Sequence, residues 1–164
     1  MQSILNNKKL ILASGSPRRQ ELLEYSGIIP FDKRVKEIDE IFSPDMDITQ
    51  VASFLAREKA MVFDDIAEDE VYITADTIVI CEGKIYGKPK DKVDAIKILT
   101  ALSGIEHTVI TGVCLRSASE TYVFDDISRV KIADITSEEI EYYIDTCKPF
   151  EKAGSYGLPA WIGV

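Results

Sequence analysis

Apolar positions in this chain alternate between short β-type runs and the three-four spacing of amphipathic helices, the rhythm of an α/β sheet. Leu10-Ile11-Leu12 predicts a buried strand over Lys9–Ala13, and a helix follows over Pro17–Ser26, with Ser16 as its N-cap and Gly27 as its stop. Ile28 to Pro44 has no periodicity and is read as irregular; it contains the acidic pair Asp39-Glu40. A second helix is predicted from Ile48 to Ala67, opened by a capping-box-like Asp47-x-x-Gln50. Val71–Cys81 is a β-branched strand, and Glu82-Gly83 turns it into Lys84-Ile85-Tyr86. Asp91–Ser103 reads as a third helix closed by Gly104, and His107–Leu115 and Thr121–Ile135 as strands, the second bent or broken near Asp125-Asp126. Thr136-x-x-Glu139 caps a last helix running to about Asp145. The neighbouring strands in the middle of the chain make the sheet a mixed one.

Two positions interrupt this pattern with charge. Ile48, Val51, Ala52, Leu55, Lys59 and Val62 follow one helical stripe, on which Lys59 is the single cation. Snorkelling to the rim and service in a site explain it equally well. Tyr72, Thr74, Asp76, Ile78 and Ile80 share one strand face by period two, and Asp76 stands among apolar residues where a carboxylate requires a partner. That partner is either a structural ion pair or part of a reactive site.

Composition narrows the field of partners. A formal net charge of -9 over 164 residues argues against a nucleic-acid coat or an anionic membrane surface, while leaving room for an anionic small molecule in a local cationic pocket. The length suits one domain, with no internal repeat, linker or apolar run of membrane-spanning length. Cys81, Cys114 and Cys147 are odd in number and widely spaced, which reads as reduced thiols of a cytoplasmic protein.

The junction Ala13-Ser14-Gly15-Ser16-Pro17-Arg18-Arg19 carries the strongest chemical signal. It puts two arginines into the first turn of a helix, where the macrodipole disfavours cations, beside two hydroxyls and free backbone N–H groups. That combination suits a polyanion, most simply phosphate. Lys88, framed in Tyr86-Gly87-Lys88-Pro89, adds a further cation, and Glu40 and Asp76 are available for a metal and a base. Cleaving a phosphoanhydride calls for cations on the phosphoryl oxygens, Mg²⁺ or Mn²⁺, and a carboxylate acting on water. The loop lacks the Lys-Ser/Thr ending of a Walker sequence, and the lone His107 argues against a Ser-His-Asp site and reads as structural.

In order along the chain, these segments resemble the signatures of the Maf family. They are Ala13 to Arg19, Arg57-Glu58-Lys59-Ala60, Ala75-Asp76-Thr77, Gly87-Lys88-Pro89, Leu102-Ser103-Gly104-x-x-His107 and Lys152-Ala153-Gly154-Ser155-Tyr156-Gly157. The resemblance, from Lys9 to Gly157, implies an α/β fold of the Maf/inosine-triphosphatase type. In that fold a curved mixed β-sheet with flanking helices forms two lobes around a nucleotide cleft. It also implies a cytoplasmic nucleoside triphosphate pyrophosphatase with a divalent cation, able to form a homodimer, and the charge and hydropathy above add that it binds no nucleic acid and no membrane. Position by position, it makes Asp76 the acid–base residue and Glu40 its helper at the metal. Ser14, Arg18, Arg19, Lys59 and Lys88 would hold the triphosphate. Arg18 and Thr77 match the subgroup that prefers dTTP and UTP. The alternative is a non-catalytic nucleotide-binding regulator, since members are linked to restraint of septum formation. The resemblance weakens after Gly157: Pro159 stands where the subgroup has a specificity glutamine, and the family's last strands and helix are not matched. Lower stability, self-association and weaker base selectivity are the expectations from that ending.

Overall fold

The structure is a computed structural model, described here for residues 8–157. Pro159 and the expectations attached to the chain's ending lie outside the described residues. The fold is α/β: among the described residues, a six-stranded mixed sheet of order β2-β1-β3-β5-β6, with β4 paired to β3, is accompanied by four α-helices. The strands are β1 (Lys9–Leu12), β2 (Asp32–Lys33), β3 (Glu70–Cys81), β4 (Lys84–Tyr86), β5 (Glu106–Arg116) and β6 (Thr121–Lys131). The helices are α1 (Pro17–Tyr25), α2 (Val51–Met61), α3 (Lys92–Leu102) and α4 (Ser137–Cys147). β1 runs parallel to both β2 and β3, whereas β4 returns antiparallel along β3.

The chain forms two compact units. One holds the chain up to Asp76 together with Thr111–Asp125; the other holds Thr77–Ile110 and the chain from Asp126 onward. In the first unit, Ile11, Ala13, Phe63 and Tyr72 form one apolar cluster, and Ala56, Ala60 and Cys114 a second. Helix α2 lies against its sheet through Ala52, Ala56 and Ala60, all at 0% exposure and spaced i, i+4, i+8. Small side chains bring the helix backbone close. The approach is tightest at Gly112, where an added Cβ would lie 2.3 Å from the backbone carbon of Ala52. Thr74 clamps the same contact, its hydroxyl donating to the Ala56 carbonyl at 2.6 Å.

In the second unit, Leu99 and Leu102 of α3, Ile140, Tyr143 and Ile144 of α4, and Val79 and Cys81 of β3 share one core. Lys92 and Asp145 join α3 to α4 at 2.5 Å. The reciprocal capping box of Thr136 and Glu139 opens α4 as the sequence predicts. His107 is buried: its Nδ1 donates to the Ile105 carbonyl at 3.1 Å, which leaves Nε2 to accept from the Tyr156 hydroxyl at 2.7 Å. Burial lowers the His107 pKa and pushes that of Tyr156 up to about 12, so the imidazole is a neutral structural group.

Five expectations need correction. The single helix expected from Ile48 to Ala67 is a 3₁₀ turn (Ile48–Gln50) followed by α2, which ends at Met61. Asp47 accepts from the Thr49 N–H at 2.9 Å without a reciprocal bond from Gln50. The chain then leaves the helix because Phe63 turns inward onto Tyr72, ring centroids 4.8 Å apart. Asp64-Asp65, which follows, would be unfavourable at a helix C-terminus. Ser16 flanks α1 in extended conformation but makes no side-chain cap. The stretch read as irregular contains β2, whose two residues pair with Ile11 and Leu12. β6 is unbroken at Asp125-Asp126 and stops at Lys131.

Gly112→Ala is expected to destabilise the fold by about 1–3 kcal/mol, because the methyl meets backbone that cannot rotate away. A fall in the urea midpoint at constant m-value checks it; an unchanged midpoint would show that α2 is free to withdraw.

Candidate active site

Asp76 is placed by three pieces of local structure in the first unit. The parallel register Leu12↔Ile73, extended by the Ala13 N–H to Ile73 carbonyl bond of 2.8 Å, sets the end of β1 beside the middle of β3. Ser14 therefore emerges at the carboxyl end of a parallel strand, where open α/β sheets gather ligands. The Thr74–Ala56 clamp fixes β3 against α2. Two residues beyond Thr74 on the same strand face is Asp76, and one helical turn beyond Ala56 is Lys59. Lys59 sits in the last turn of α2, where the helix dipole favours a cation.

The result is a tight charged cluster. The Lys59 ammonium donates to Asp76 Oδ1 and lies 2.7 Å from Glu40 Oε1. The side chain of Asp76 is 10% exposed, that of Lys59 19% and that of Glu40 50%. Burial raises the Asp76 pKa above the ordinary carboxylate value; Lys59 and Arg19 oppose the shift, and Glu40 adds to it. The Arg19 guanidinium, half-buried, has its pKa lowered by burial and feels both carboxylates. Its Nη1 donates to Ser14 Oγ at 3.1 Å, and the same oxygen accepts from the Ser16 N–H at 3.3 Å. The serine hydroxyl thus organises the loop from Ser14, replacing the cap expected of Ser16.

Ser14, Arg19, Glu40, Lys59 and Asp76 are the predicted site residues that the first unit brings together. Arg18, from the same helical turn as Arg19, is exposed and pairs with Glu21 at 3.7 Å. Thr77 and Lys88 belong to the second unit, where Lys88 is exposed and 3.6 Å from Glu151. The Gly154-Ser155-Tyr156 segment serves that unit's framework. The Gly154 N–H donates to the Gly87 carbonyl at 3.1 Å, so this motif braces the loop that carries Lys88. Buried Ser155 has φ 60° and a hydroxyl with no partner among the described residues, a strained and unsatisfied position.

The carboxylates suit a hard divalent cation of the Mg²⁺ type, which takes one or two carboxylates and completes its shell with phosphate oxygens and water. Among the described residues no group of three or more His, Cys, Asp or Glu gathers around one point, so Glu40 and Asp76 are the protein donors on offer.

Residues 9–164 match the family described as Maf-like protein. The chain belongs to the Maf family. Among curated Maf relatives, it is 44% identical over 159 residues to a dTTP/UTP pyrophosphatase of Flavobacterium psychrophilum, covering 96% of this chain and 81% of that one. A dTTP/UTP pyrophosphatase of Christiangramia forsetii is 43% identical over 165 residues, covering 100% of this chain and 84% of its own. A solved HAM1 protein from Coxiella burnetii shares the fold, with a TM-score of 0.50 at 15% identity over 78% of this chain and 74% of that one.

The raised pKa of Asp76 makes its contribution to stability depend on pH. A carboxyl that holds its proton more tightly folded than unfolded contributes most at low pH. That contribution is lost as pH rises from the unfolded to the raised folded pKa. Asp76→Asn should therefore melt at the same temperature as wild type or higher at neutral pH. A marked drop in melting temperature would mean that the Lys59 pair outweighs the burial cost.

Proposed function

We propose that this Maf protein hydrolyses dTTP and UTP to the nucleoside monophosphate and pyrophosphate. The observation that carries the reading is Asp76, a buried carboxylate in β3 held by the Lys59 ammonium and within reach of the charge of Arg19 from the β1–α1 junction. Binding a nucleotide needs the cations alone; a poised base beside them serves hydrolysis. The names of the relatives support the pyrimidine preference, and the Arg18 and Thr77 matches agree with it.

In the proposed reaction the triphosphate lies against Arg19, Lys59 and the Ser14 loop, with Arg18 adding charge. Asp76 takes a proton from the attacking water on a carboxylate oxygen. The water oxygen bonds to the α-phosphorus, the bond to the bridging α–β oxygen breaks, and pyrophosphate leaves with that oxygen. Lys59 holds the Asp76 carboxylate in place and favours its charged, proton-accepting form. Glu40 and Asp76 would hold Mg²⁺ or Mn²⁺, which when bound neutralises charge on the phosphoryl oxygens. We also infer a cytoplasmic enzyme, in keeping with three free cysteines, and a homodimer from the resemblance. Among the described residues no helix is long and apolar enough to cross a membrane.

Pyrophosphate release from a panel of nucleotides, with Mg²⁺ or Mn²⁺ and again with chelator, tests the reading directly. Release from dTTP and UTP should exceed that from purine triphosphates, stop with chelator and return with metal. Asp76→Asn should lose about 10²–10⁴-fold in rate with nucleotide binding retained. Binding without turnover in the unmutated chain would instead favour the regulatory alternative.

Arg19→Ala and Lys59→Ala should each weaken UTP binding by about 1.5–3 kcal/mol and UMP binding by less. Calorimetric titration of both ligands reads this difference, and equal losses would remove these cations from the polyphosphate tail.

A further inference from the structure

Outside the Asp76 cluster, the strongest concentration of unspent charge lies in the second unit. A cavity of about 520 Å³ opens between β4 and the face of α3 that bears Asp94, Lys97 and Ile98. Lys84, Lys88, Lys90 and Lys97 line it around the half-buried Tyr86, in a chain whose net charge is -9. Lys84 and Tyr86 lie on the short strand, Lys88 and Lys90 in the loop after it, and Lys97 on the helix.

Several cations of this acidic protein face carboxylates, as at Lys9–Asp69, Arg34–Glu70 and Lys92–Asp145, whereas most of those lining the cavity do not. Lys84, Lys90 and Lys97 have no side-chain partner among the described residues, and Lys88 has only the exposed Glu151 at 3.6 Å. Asp94 is the one acid in the wall among the described residues. Its Oδ2 accepts from the Lys90 N–H at 3.0 Å, so its charge is engaged in closing the turn into α3. Four ammonium groups around one concavity repel one another, and a multivalent anion relieves that repulsion. The volume falls within the range of small-molecule sites, and a concave wall suits a compact ligand better than a flat membrane surface.

We propose that this cavity is a binding site for a phosphorylated polyanion of the diphosphate class. A diphosphate presents enough charged oxygens for several lysines at once, and point-charge ammonium groups on flexible stems suit it without a bidentate fork. The site is built from second-unit residues and shares only Lys88 with the triphosphate set that the resemblance implies. Binding in the cavity does not depend on the reaction proposed above.

Titration of inorganic pyrophosphate into the isotope-labelled full chain, followed by amide NMR at low salt without metal, tests the site. Shifts are expected at Lys84, Tyr86 and Asp94. The triple variant Lys84→Gln, Lys90→Gln, Lys97→Gln should weaken that response about tenfold or more, while the corresponding triple Lys→Arg variant retains it. Orthophosphate should bind more weakly than pyrophosphate, and Lys59→Ala should leave the cavity shifts in place. Unmoved cavity amides, an unchanged affinity in the glutamine variant, or equal binding of orthophosphate would each overturn the proposal. Melting curves confirm that the variants fold, and a glutamine variant that does not fold hands the decision to the wild-type shifts and the arginine variant. The titration reads no hydrolysis, so failure of Asp76 as a base leaves its outcome unmoved.

Discussion

A carboxylate cannot be buried in the middle of a strand without a counter-charge, and the first unit is organised around meeting that demand for Asp76. The ammonium must come from an element packed close to the strand, which explains the alanine face of α2 and the Gly112 contact beneath it. The Thr74–Ala56 bond then sets the axial position of the helix so that Lys59 arrives level with Asp76. Loosening any of these contacts acts on the carboxylate at a distance. Core packing and the proposed chemistry therefore share the same few residues here.

The pairing leaves Asp76 poised between two demands. Desolvation favours its neutral form; Lys59 and Arg19 favour the charged form. Glu40, half exposed, shares the ammonium and keeps Lys59 from being satisfied by Asp76 alone. An arrangement so balanced responds to any added cation or anion, in keeping with the proposed role.

Much of this is legible in the chain. The strand–helix junction at Ser14 to Arg19, the inward Lys59 and the strand Asp76 each break a local rule, and those breaks mark the site. Their mutual contacts are not legible, because Lys59 and Asp76 are joined through a helix–strand packing that no local pattern encodes. Periodicity carries the second helix past Met61, since the inward turn of Phe63 depends on Tyr72 in a later strand. The Ser14–Arg19 bond is hidden for a similar reason: capping preferences favour Ser16, whereas the tertiary demand on the loop falls on the hydroxyl two residues earlier. The lysine cavity is invisible in the sequence because β4 and α3 contribute its charges from separate segments.

The hydrogen-bonded burial of His107 has a consequence for how the protein titrates. It is the only imidazole in the chain, and its depressed pKa keeps it neutral through the physiological range. The histidine signal that clouds pH profiles in most enzymes is therefore silent in this one. A carboxyl group whose pKa burial raises can be followed against a quiet background.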